Sequence, residues 1–390
     1  MKWTPRLHTR ALRVSASPRT PRTPRTPREI IAWLVLALTM GTIGCAPQAQ
    51  QDAQPAQQGY AELYNLLSEP GGYFDSDNLI SNETSYLHAL DDLRARGVSG
   101  GVFIGVGPDQ GFSYIAETRP QLAIMIDIRR DAMLQHLMFR SLFQRSRNRM
   151  EYLAGLIGAT VPDVTRWTGK PIEQMIAVLD TAQRNELEFT RWSTRILEDA
   201  RASGINLTGD DMATIQRFRR EFHDMGLDLR YTSKNRPPRM SYPTLRQLML
   251  EQDRTGNLAS YLASEERWRV VQELQKRDRV LVATGDLAGT HAVRAIGAYL
   301  RQQGLPVSVL YTSNVEQYLF QFGTFNAFAD NVVTLPFAPN AVIIRSFFNR
   351  GGGHPFAVPG HISVQLVQPA ADFVQKIAAG GYVSYFELVN

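Results

Sequence analysis

Residues 102–131 read VFIGVGPDQGFSYIAETRPQLAIMIDIRRD and carry the pattern of a strand, a turn, a helix and a second strand. The apolar run 102–104 predicts a buried parallel strand. The next residues, GVGP at 105–108, predict a turn in which the backbone can approach a ligand closely, because glycine adds no side chain. Residues 109–118 then predict a helix, with Asp109 as its N-cap.

This unit ends in an acidic residue. Pro120 ends the predicted helix, residues 122–126 predict a second buried strand, and Asp127 stands at the carboxyl end of that strand. Ligands of open α/β sheets lie outside the carboxyl ends of the strands. Asp127 follows Gly105 by 22 residues, about the spacing at which an acid meets a ribose hydroxyl. We therefore predict a nucleoside-type ligand held by Gly105, Gly107 and Asp127.

The glycine spacing leaves alternatives open. It is G-x-G-x-x-x-G and not the dinucleotide pattern G-x-G-x-x-G, so it also fits a tight turn beside a solvated aspartate. A dinucleotide needs its pyrophosphate at a helix N-terminus. Asp109 would repel a pyrophosphate there, because it already supplies the anion that this end of the helix favours. S-adenosylmethionine has no phosphate, so the residues favour it over a dinucleotide.

The rest of the chain continues the alternation of apolar strands and amphipathic helices. Further strands are predicted at 227–231, 280–283, 306–311, 332–335 and 341–345. Helices are predicted at 131–149, 150–225, 242–276, 291–303 and 315–322. This alternation favours a doubly wound, mainly parallel sheet with helices on both faces. We predict one such α/β domain over 60–390, with a helical insertion at about 150–225 as a candidate lid over the site.

Two more polar residues stand directly after apolar strands. Asp286 and Asn314 should therefore reach the same edge of the sheet as Asp127. We predict that both contact the ligand or handle a proton. For Asp286, capping of the following helix is an equal alternative. Glu316 and Tyr318 belong to the same short polar and aromatic stretch as Asn314, and they are weaker candidates for the site.

Other catalytic signatures are absent from the sequence. It contains no Walker A motif, no G-x-S-x-G elbow and no H-E-x-x-H motif. The seven histidines are scattered, and His354 and His361 have no cysteine nearby. We therefore predict no metal centre.

Residues 1–44 have the features of a secretory signal. The first 28 residues contain eight Lys or Arg and no acid, and the apolar stretch 30–40 that follows is too short to span a bilayer. Cys45, the only cysteine, comes directly after this segment, which resembles a bacterial lipoprotein signal. We predict that Cys45 carries lipid and that residues 45–59, rich in Gln, Ala and Pro, form a flexible tether. The alternatives are an uncleaved anchor and a start codon placed upstream of the real signal.

Removal of the signal changes the charge of the chain. The whole chain has 42 basic and 37 acidic residues, a net charge of +5, and residues 1–44 contribute +7, so the mature chain carries +5 − 7 = −2. The basic character belongs to the leader and indicates no nucleic-acid partner. Ala46 follows Cys45 in place of the aspartate associated with retention in the inner membrane. The predicted location is therefore the outer membrane, facing the periplasm.

Four stretches resemble blocks of an uncharacterised bacterial family with the class I S-adenosylmethionine-dependent methyltransferase fold. They are SNETSYLH (81–88), GVGPDQGFSYIA (105–116), DIRRDAMLQHLMFRSLF (127–143) and YTSNVEQYLF (311–320). The resemblance extends over roughly residues 60–350. It implies cofactor contacts at Gly105, Gly107 and Asp127. It also implies contacts at Asn82 and Glu83, from the predicted helix that precedes the first strand and runs to about Arg96.

The sequence departs from the pattern of that fold at three points. Phe103 stands where many members carry an acid, Asp109 replaces the usual third glycine, and no N-P-P-Y motif follows the fourth strand. We predict a methyltransferase-like lipoprotein that binds S-adenosylmethionine, with no indicated acceptor. A lipoprotein lies outside the cytoplasm, where S-adenosylmethionine is made. The alternative is therefore a non-catalytic binding module of the cell envelope on the same scaffold. A dinucleotide oxidoreductase is a third interpretation, which Asp109 disfavours.

Overall fold

Six strands form one sheet in this protein. They are β1 (Val102–Gly105), β2 (Leu122–Asp127), β3 (Val280–Thr284), β4 (Val307–Ser313), β5 (Phe337–Phe348) and β6 (Ser363–Pro369). Their order across the sheet is β3-β2-β1-β4-β5-β6. Strands β1 to β5 run parallel, and β6 lies antiparallel to β5 at the edge. The predicted α/β fold with a doubly wound, mainly parallel sheet is therefore confirmed.

The computed structural model describes residues 59–234, 236–237, 239–348 and 353–390. The predicted signal 1–44, the lipidation residue Cys45 and all of the tether 45–59 except its last residue lie outside the described residues. Within the described ranges, no helix combines the length and the apolar character needed to cross a bilayer.

Helices flank the sheet. They are α1 (Tyr60–Leu67), α2 (Ala89–Ala95), α3 (Gly111–Thr118), α4 (Arg130–Arg145), α5 (Arg149–Ile157), α6 (Ile172–Thr181), α7 (Glu186–Ala202), α8 (Gly209–Met225), α9 (Leu245–Met249), α10 (Glu265–Lys276), α11 (Ala292–Gln302), α12 (Val315–Gln321), α13 (Phe325–Val332), α14 (Ala370–Ala378) and α15 (Tyr385–Val389). Short 3₁₀ helices lie at Tyr86–His88, Val164–Trp167 and Gly226–Asp228.

The two faces of the sheet have separate apolar cores. Along β1, Phe103 packs into the cluster formed with α3, α4 and α10, whereas Ile104 packs into the cluster formed with α1, α11 and α13. On β2, Met125 joins the first cluster and Ile124 the second. Successive side chains of a strand point to opposite faces. Because helices cover both faces, these strands are continuous apolar runs rather than alternating ones.

The stretch 149–225 is helical, as its periodicity indicates, and it packs beside the sheet. Helices α7 and α8 lie against α4. Arg219 of α8 is fully buried and donates to the carbonyl oxygen of Gly155 at 2.8 Å and to that of Leu156, near the end of α5. A cation at that position meets the negative end of the α5 dipole. Burial lowers the pKa of Arg219 to about 9, which leaves it charged at neutral pH.

Two predicted strands are wrong. Residues 227–231 do alternate, with Leu227, Leu229 and Tyr231 buried, but they start in a 3₁₀ helix and form only an isolated bridge from Arg230. No neighbouring strand pairs with them in the described chain. Residues 332–335 start at the last residue of α13, and the buried positions are the first and the last, a spacing of three that suits a helical turn.

Candidate functional site

A crevice opens at the carboxyl ends of the strands, where the strand order reverses between β1 and β4. This switch point is where ligands of open α/β sheets bind. The crevice has a volume of about 240 Å³, a little below the range of about 300–1,000 Å³ typical of ligand sites. Its described lining residues come from 73–82, 106–128, 231, 285–287 and 313–324. The helical stretch 150–225 contributes none of them, so its prediction as a lid is wrong.

The structure brings five of the predicted site residues to this crevice. They are Asn82, Gly107, Asp127, Asp286 and Asn314. They come from five separate segments of the chain, and the parallel strands align four of these segments at one edge.

The other two predicted contacts, Gly105 and Glu83, do not line the crevice. Gly105 is a packing residue, because a Cβ there would lie 2.6 Å from the ring of Phe103. Glu83 is buried behind the crevice, at 1% exposure. Their prediction as direct cofactor contacts is therefore corrected to a role in the wall behind the site.

Gly107 occupies a backbone conformation that a side chain would strain. Its φ is +86°, and a Cβ would lie 2.7 Å from Nε2 of Gln110. Nε2 of Gln110 donates to the hydroxyl of Tyr311 at 3.3 Å. The amide oxygen of Gln110, Oε1, is buried and has no hydrogen-bond partner within the described residues. The turn after β1 therefore offers close backbone approach at the crevice.

Asp127 is held in place by Arg129, two residues later. Its Oδ1 accepts from the backbone N of Arg129 at 2.9 Å and from Nε at 3.2 Å, and its Oδ2 accepts from Nη2 at 3.2 Å. Arg129 is itself buried and donates from Nη1 to the carbonyl oxygen of Ser76. A carboxylate has about four acceptor positions, so one position on Oδ2 stays open toward the crevice.

Asp286 shapes a turn and lines the crevice. Its Oδ1 accepts from the backbone N of Ala288 at 2.9 Å. It does not cap α11, whose N-cap is His291. The loop is held by Glu69, which accepts from the backbone N of Asp286 at 3.0 Å and from that of His291 at 2.9 Å. Sequence reasoning missed Glu69, which lies more than 200 residues earlier and in no recognisable motif.

The end of β4 is anchored by the buried carboxylate of Glu83. This group accepts from the hydroxyl of Tyr311 at 2.7 Å, from the hydroxyl of Ser313, and from Nε2 of Gln365 at 3.1 Å. Ser313 lines the crevice with a left-handed φ of +53°. Non-glycine residues in that conformation are uncommon and cluster at functional sites. Glu83 therefore fixes the strained turn that presents Asn314.

Aromatic side chains form the outer part of the crevice. Tyr73 and Phe322 are 71% and 69% exposed, although both are large and lipophilic. Phe74 and Tyr318 pack edge to face with ring centroids 5.2 Å apart. Tyr231, which is buried, also lines the crevice. Of the two weaker candidates near Asn314, Tyr318 is therefore in the crevice. Glu316 is not, because it is buried in a two-point ion pair with Arg345.

Asp127 and Asp286 are the charged side chains among the described lining residues of the crevice, and no lysine or arginine lines it. Arg129, which does not line the crevice, balances the charge of Asp127, so Asp286 contributes the unbalanced negative charge. Such a site favours a cationic or neutral ligand over a polyanion, since like charges repel strongly in a partly desolvated site.

Asp109 does not have the position that the sequence predicts. Helix α3 begins at Gly111 with Gln110 as its N-cap, and it has no capping hydrogen bond from a side chain. The carboxylate of Asp109 is buried on the far side of the turn, where it accepts from the hydroxyl of Tyr261 at 3.1 Å. Burial raises the pKa of Asp109 to about 6. Asp109 therefore neither caps the helix nor bears on a ligand in the crevice.

A family model matches most of this chain. The match covers residues 79–385, and the family is described as a domain of unknown function, DUF7790. The chain belongs to this family. No curated protein matches it.

A solved structure with some similarity is that of the rRNA methyltransferase aviRa from Streptomyces viridochromogenes. It has 12% sequence identity to this chain and a TM-score of 0.29, and the alignment covers 77% of this chain and 95% of that chain. The strand order and strand directions of the chain itself identify its fold.

The DUF7790 region contains nearly the whole crevice. The strand ends, the segment around Asn82 and helix α12 all lie inside residues 79–385. Three lining residues precede the region, namely Tyr73, Phe74 and Asn78. Glu69, which holds the Asp286 loop, also precedes it. The segment before the matched region therefore completes one wall of the site.

Proposed function

We propose that the crevice binds S-adenosylmethionine or a closely related nucleoside, as part of a methyltransferase-type function. The observation that carries the proposal is the position of Asp127. It stands at the carboxyl end of β2, it lines a crevice at the switch point, and it keeps an acceptor position free. A carboxylate in that place is suited to the ribose hydroxyls of a nucleoside.

The charge of the crevice supports S-adenosylmethionine over a dinucleotide. A pyrophosphate is favoured by cationic side chains and by a helix N-terminus. The described lining residues include Gln110, the N-cap of α3, but no lysine or arginine, and of their two carboxylates only that of Asp127 is paired with a cation, Arg129. S-adenosylmethionine carries a positive sulfonium, which the carboxylate of Asp286 would favour.

The aromatic rim supports a planar or apolar methyl acceptor. Tyr73 and Phe322 are exposed at the crevice, Tyr318 is partly buried and Tyr231 is buried. Exposed aromatic side chains such as Tyr73 and Phe322 stack on rings and attract cations. A methyl acceptor would therefore approach from the rim, while the nucleoside lies against the strand ends.

A binding role without catalysis is the second candidate. The described lining residues include no histidine, cysteine or lysine, which are common proton acceptors near neutral pH. Of the two carboxylates, Asp127 is engaged by Arg129 and Asp286 by its own turn. A crevice that binds a nucleoside with no base beside it suits a sensor or carrier of the cell envelope.

Calorimetric titration separates these interpretations. The full-length protein is titrated with S-adenosylmethionine, S-adenosylhomocysteine and NAD⁺. We expect one-to-one binding of the first two and no binding of NAD⁺. Binding of NAD⁺ alone, or of none of the three, overturns the proposal. Release of S-adenosylhomocysteine during incubation with candidate aromatic acceptors then distinguishes catalysis from binding.

We propose in addition that Cys45 is lipidated and that the protein is anchored in the outer membrane, facing the periplasm. The support is positional: a basic segment, a short apolar stretch and a small residue precede the sole cysteine, and a Gln/Ala/Pro-rich segment follows it. A membrane-anchored domain outside the cytoplasm would meet little S-adenosylmethionine. If the anchor is correct, a role in binding without catalysis is therefore favoured.

A further inference from the structure

Two histidines and a glutamate meet at a place outside the crevice. They are His88 at the end of the 3₁₀ helix Tyr86–His88, Glu251 just after α9, and His361 in the loop before β6. Their ligand atoms all lie within 4.8 Å of one another. The rings of His88 and His361 have centroids 4.6 Å apart and are tilted by 59°. None of the three lines the crevice.

The contacts inside this cluster are incomplete without a further group. Nε2 of His361 lies 3.1 Å from Oε1 of Glu251, which also accepts from the backbone N of Gln252. His88 is 5% exposed, and Nδ1 of His361 is buried and has no hydrogen-bond partner within the described residues. A buried polar nitrogen without a partner costs stability. A group bound between the two imidazoles and the carboxylate would offset that cost.

The electrostatic state of the cluster suits a metal ion. Burial lowers the pKa of His88 to about 4, so its ring is neutral at physiological pH. A neutral imidazole is the form that ligates metals. The nearby cation Arg254 is paired with an acid outside the cluster, since its guanidinium lies 3.7 Å from the carboxylate of Asp92.

We propose that His88, Glu251 and His361 bind one divalent transition-metal ion of the zinc class. Two imidazoles and one carboxylate are a known ligand set for zinc, and three protein ligands leave a fourth position for water. The alternative metal for such a set is ferrous iron. The side chains of Glu251 and His361 are 17% and 20% exposed, so an ion can reach the site from solvent.

Such an ion would join three distant parts of the chain. His88 precedes β1, Glu251 lies between α9 and α10, and His361 precedes the edge strand β6. The sequence predicts no metal centre, because the ligands are separated by more than 100 residues and follow no motif. The three residues lie outside the crevice, so the test of metal binding does not depend on the proposed nucleoside binding.

Titration with metal tests the proposal. The full-length protein, treated with chelator and freed of it, is titrated with Zn²⁺ by calorimetry and with Co²⁺ by visible absorption. We expect one equivalent to bind, Co²⁺ to give the intense visible bands of a four-coordinate site, and Zn²⁺ to raise the melting temperature. His361→Gln and Glu251→Gln should each weaken binding at least about tenfold.

The control variant is His291→Ala, which removes an exposed imidazole whose Nε2 contacts the carbonyl oxygen of Leu66. It should bind metal as the wild type does. Circular dichroism checks that each variant is folded, and the partly exposed position of His361 makes His361→Gln the safest to fold. Absence of binding to the wild type, or equal affinity in His361→Gln and Glu251→Gln, overturns the proposal, as does equal weakening by His291→Ala.

Discussion

Arg129 donates three hydrogen bonds to the carboxylate of Asp127, one from its backbone N and two from its guanidinium. This pairing orients the carboxylate at the carboxyl end of β2 and leaves part of Oδ2 free. It also buries a cation whose charge Asp127 balances, since Arg129 is only 5% exposed. Asp127 therefore has a structural role and a proposed binding role, and a test must separate the two.

Asp127→Asn tests the binding role, with circular dichroism as the check of the structural role. The amide keeps one oxygen that accepts from Arg129, but it no longer balances the charge of Arg129 and removes the negative charge that a ribose hydroxyl would meet. We expect affinity for S-adenosylmethionine to fall about ten- to a hundred-fold, which corresponds to roughly 1.5–3 kcal/mol. Calorimetry measures it. Asp131→Asn is the matched control, because that acid is more exposed and lies 3.8 Å from Arg217. Unchanged affinity in a folded Asp127→Asn protein removes Asp127 from the site.

The sequence predicts the first β1–α3–β2 unit well because its signals are local. Residues 102–105 and 122–127 are short apolar runs separated by a glycine turn, and they fold as neighbouring strands. Asp286 and Asn314 each follow an apolar strand directly, and this also predicts their place in the crevice, because a parallel sheet brings the carboxyl ends of its strands to one edge. Positions of this kind follow from local pattern and one topological rule.

Other features depend on contacts that no local pattern encodes. Tyr73 and Tyr231 line the crevice from outside the strand ends, and Glu69 holds the loop of Asp286 without lining the crevice. The position of Asp109 in the turn predicts a helix cap, but the helix starts two residues later and the carboxylate of Asp109 accepts from the hydroxyl of Tyr261. The choice between capping and burial depends on a tyrosine 152 residues away, and the sequence alone does not reveal it.

Gly107→Ala tests the close approach of the turn after β1. The substitution adds a side chain at φ +86° and places a Cβ 2.7 Å from Nε2 of Gln110. We expect lower stability by about 1–2 kcal/mol, together with weaker nucleoside binding as Gln110 is displaced. Thermal melting and calorimetry measure the two effects.

Gly169→Ala is the matched control for Gly107→Ala. Gly169 has a similar φ of +75°, but a Cβ there meets nothing within 4 Å. It should show the backbone strain alone and bind nucleoside as the wild type does. If both variants bind equally well, the turn after β1 is not part of the ligand site.

Asp109 should make the free energy of unfolding depend on pH. Its pKa is raised from 3.8 to about 6 in the folded protein by burial. The folded state therefore binds the proton more tightly, and stability falls as the pH rises from about 4 to about 6. In Asp109→Asn this loss is absent, so its stability relative to wild type should increase by roughly 2–3 kcal/mol between pH 4 and pH 7.

Denaturant unfolding at several pH values measures this difference. Asp228→Asn serves as control, since the side chain of Asp228 is 71% exposed. If the free energy of unfolding changes with pH in the same way in Asp109→Asn and in the wild type, burial does not raise the pKa of Asp109 and this prediction is wrong.

The ion pair of Glu316 and Arg345 should be costly to break. Both side chains are almost fully buried, and the carboxylate accepts from Nε at 2.7 Å and from Nη2 at 3.2 Å. Glu316→Ala leaves an unpaired buried cation, so we expect a loss of about 3–5 kcal/mol in the free energy of unfolding. Glu266→Ala breaks an exposed pair with Arg119 and should cost less than about 1 kcal/mol. Equal losses in the two variants would contradict this expectation.

Cys45→Ser tests the proposed anchor. Lipid on Cys45 would hold the domain at a membrane, and each buried CH₂ contributes roughly 0.8 kcal/mol, so several acyl chains make attachment effectively permanent. We expect the wild type to incorporate labelled fatty acid and to sediment with outer membranes. The variant should lose both properties while its domain, which starts after the tether, stays folded. Ser68→Ala is a control outside the signal. If the wild type is found soluble in the cytoplasm with residues 1–44 intact, the anchor is excluded, and with it the chief objection to an active methyltransferase.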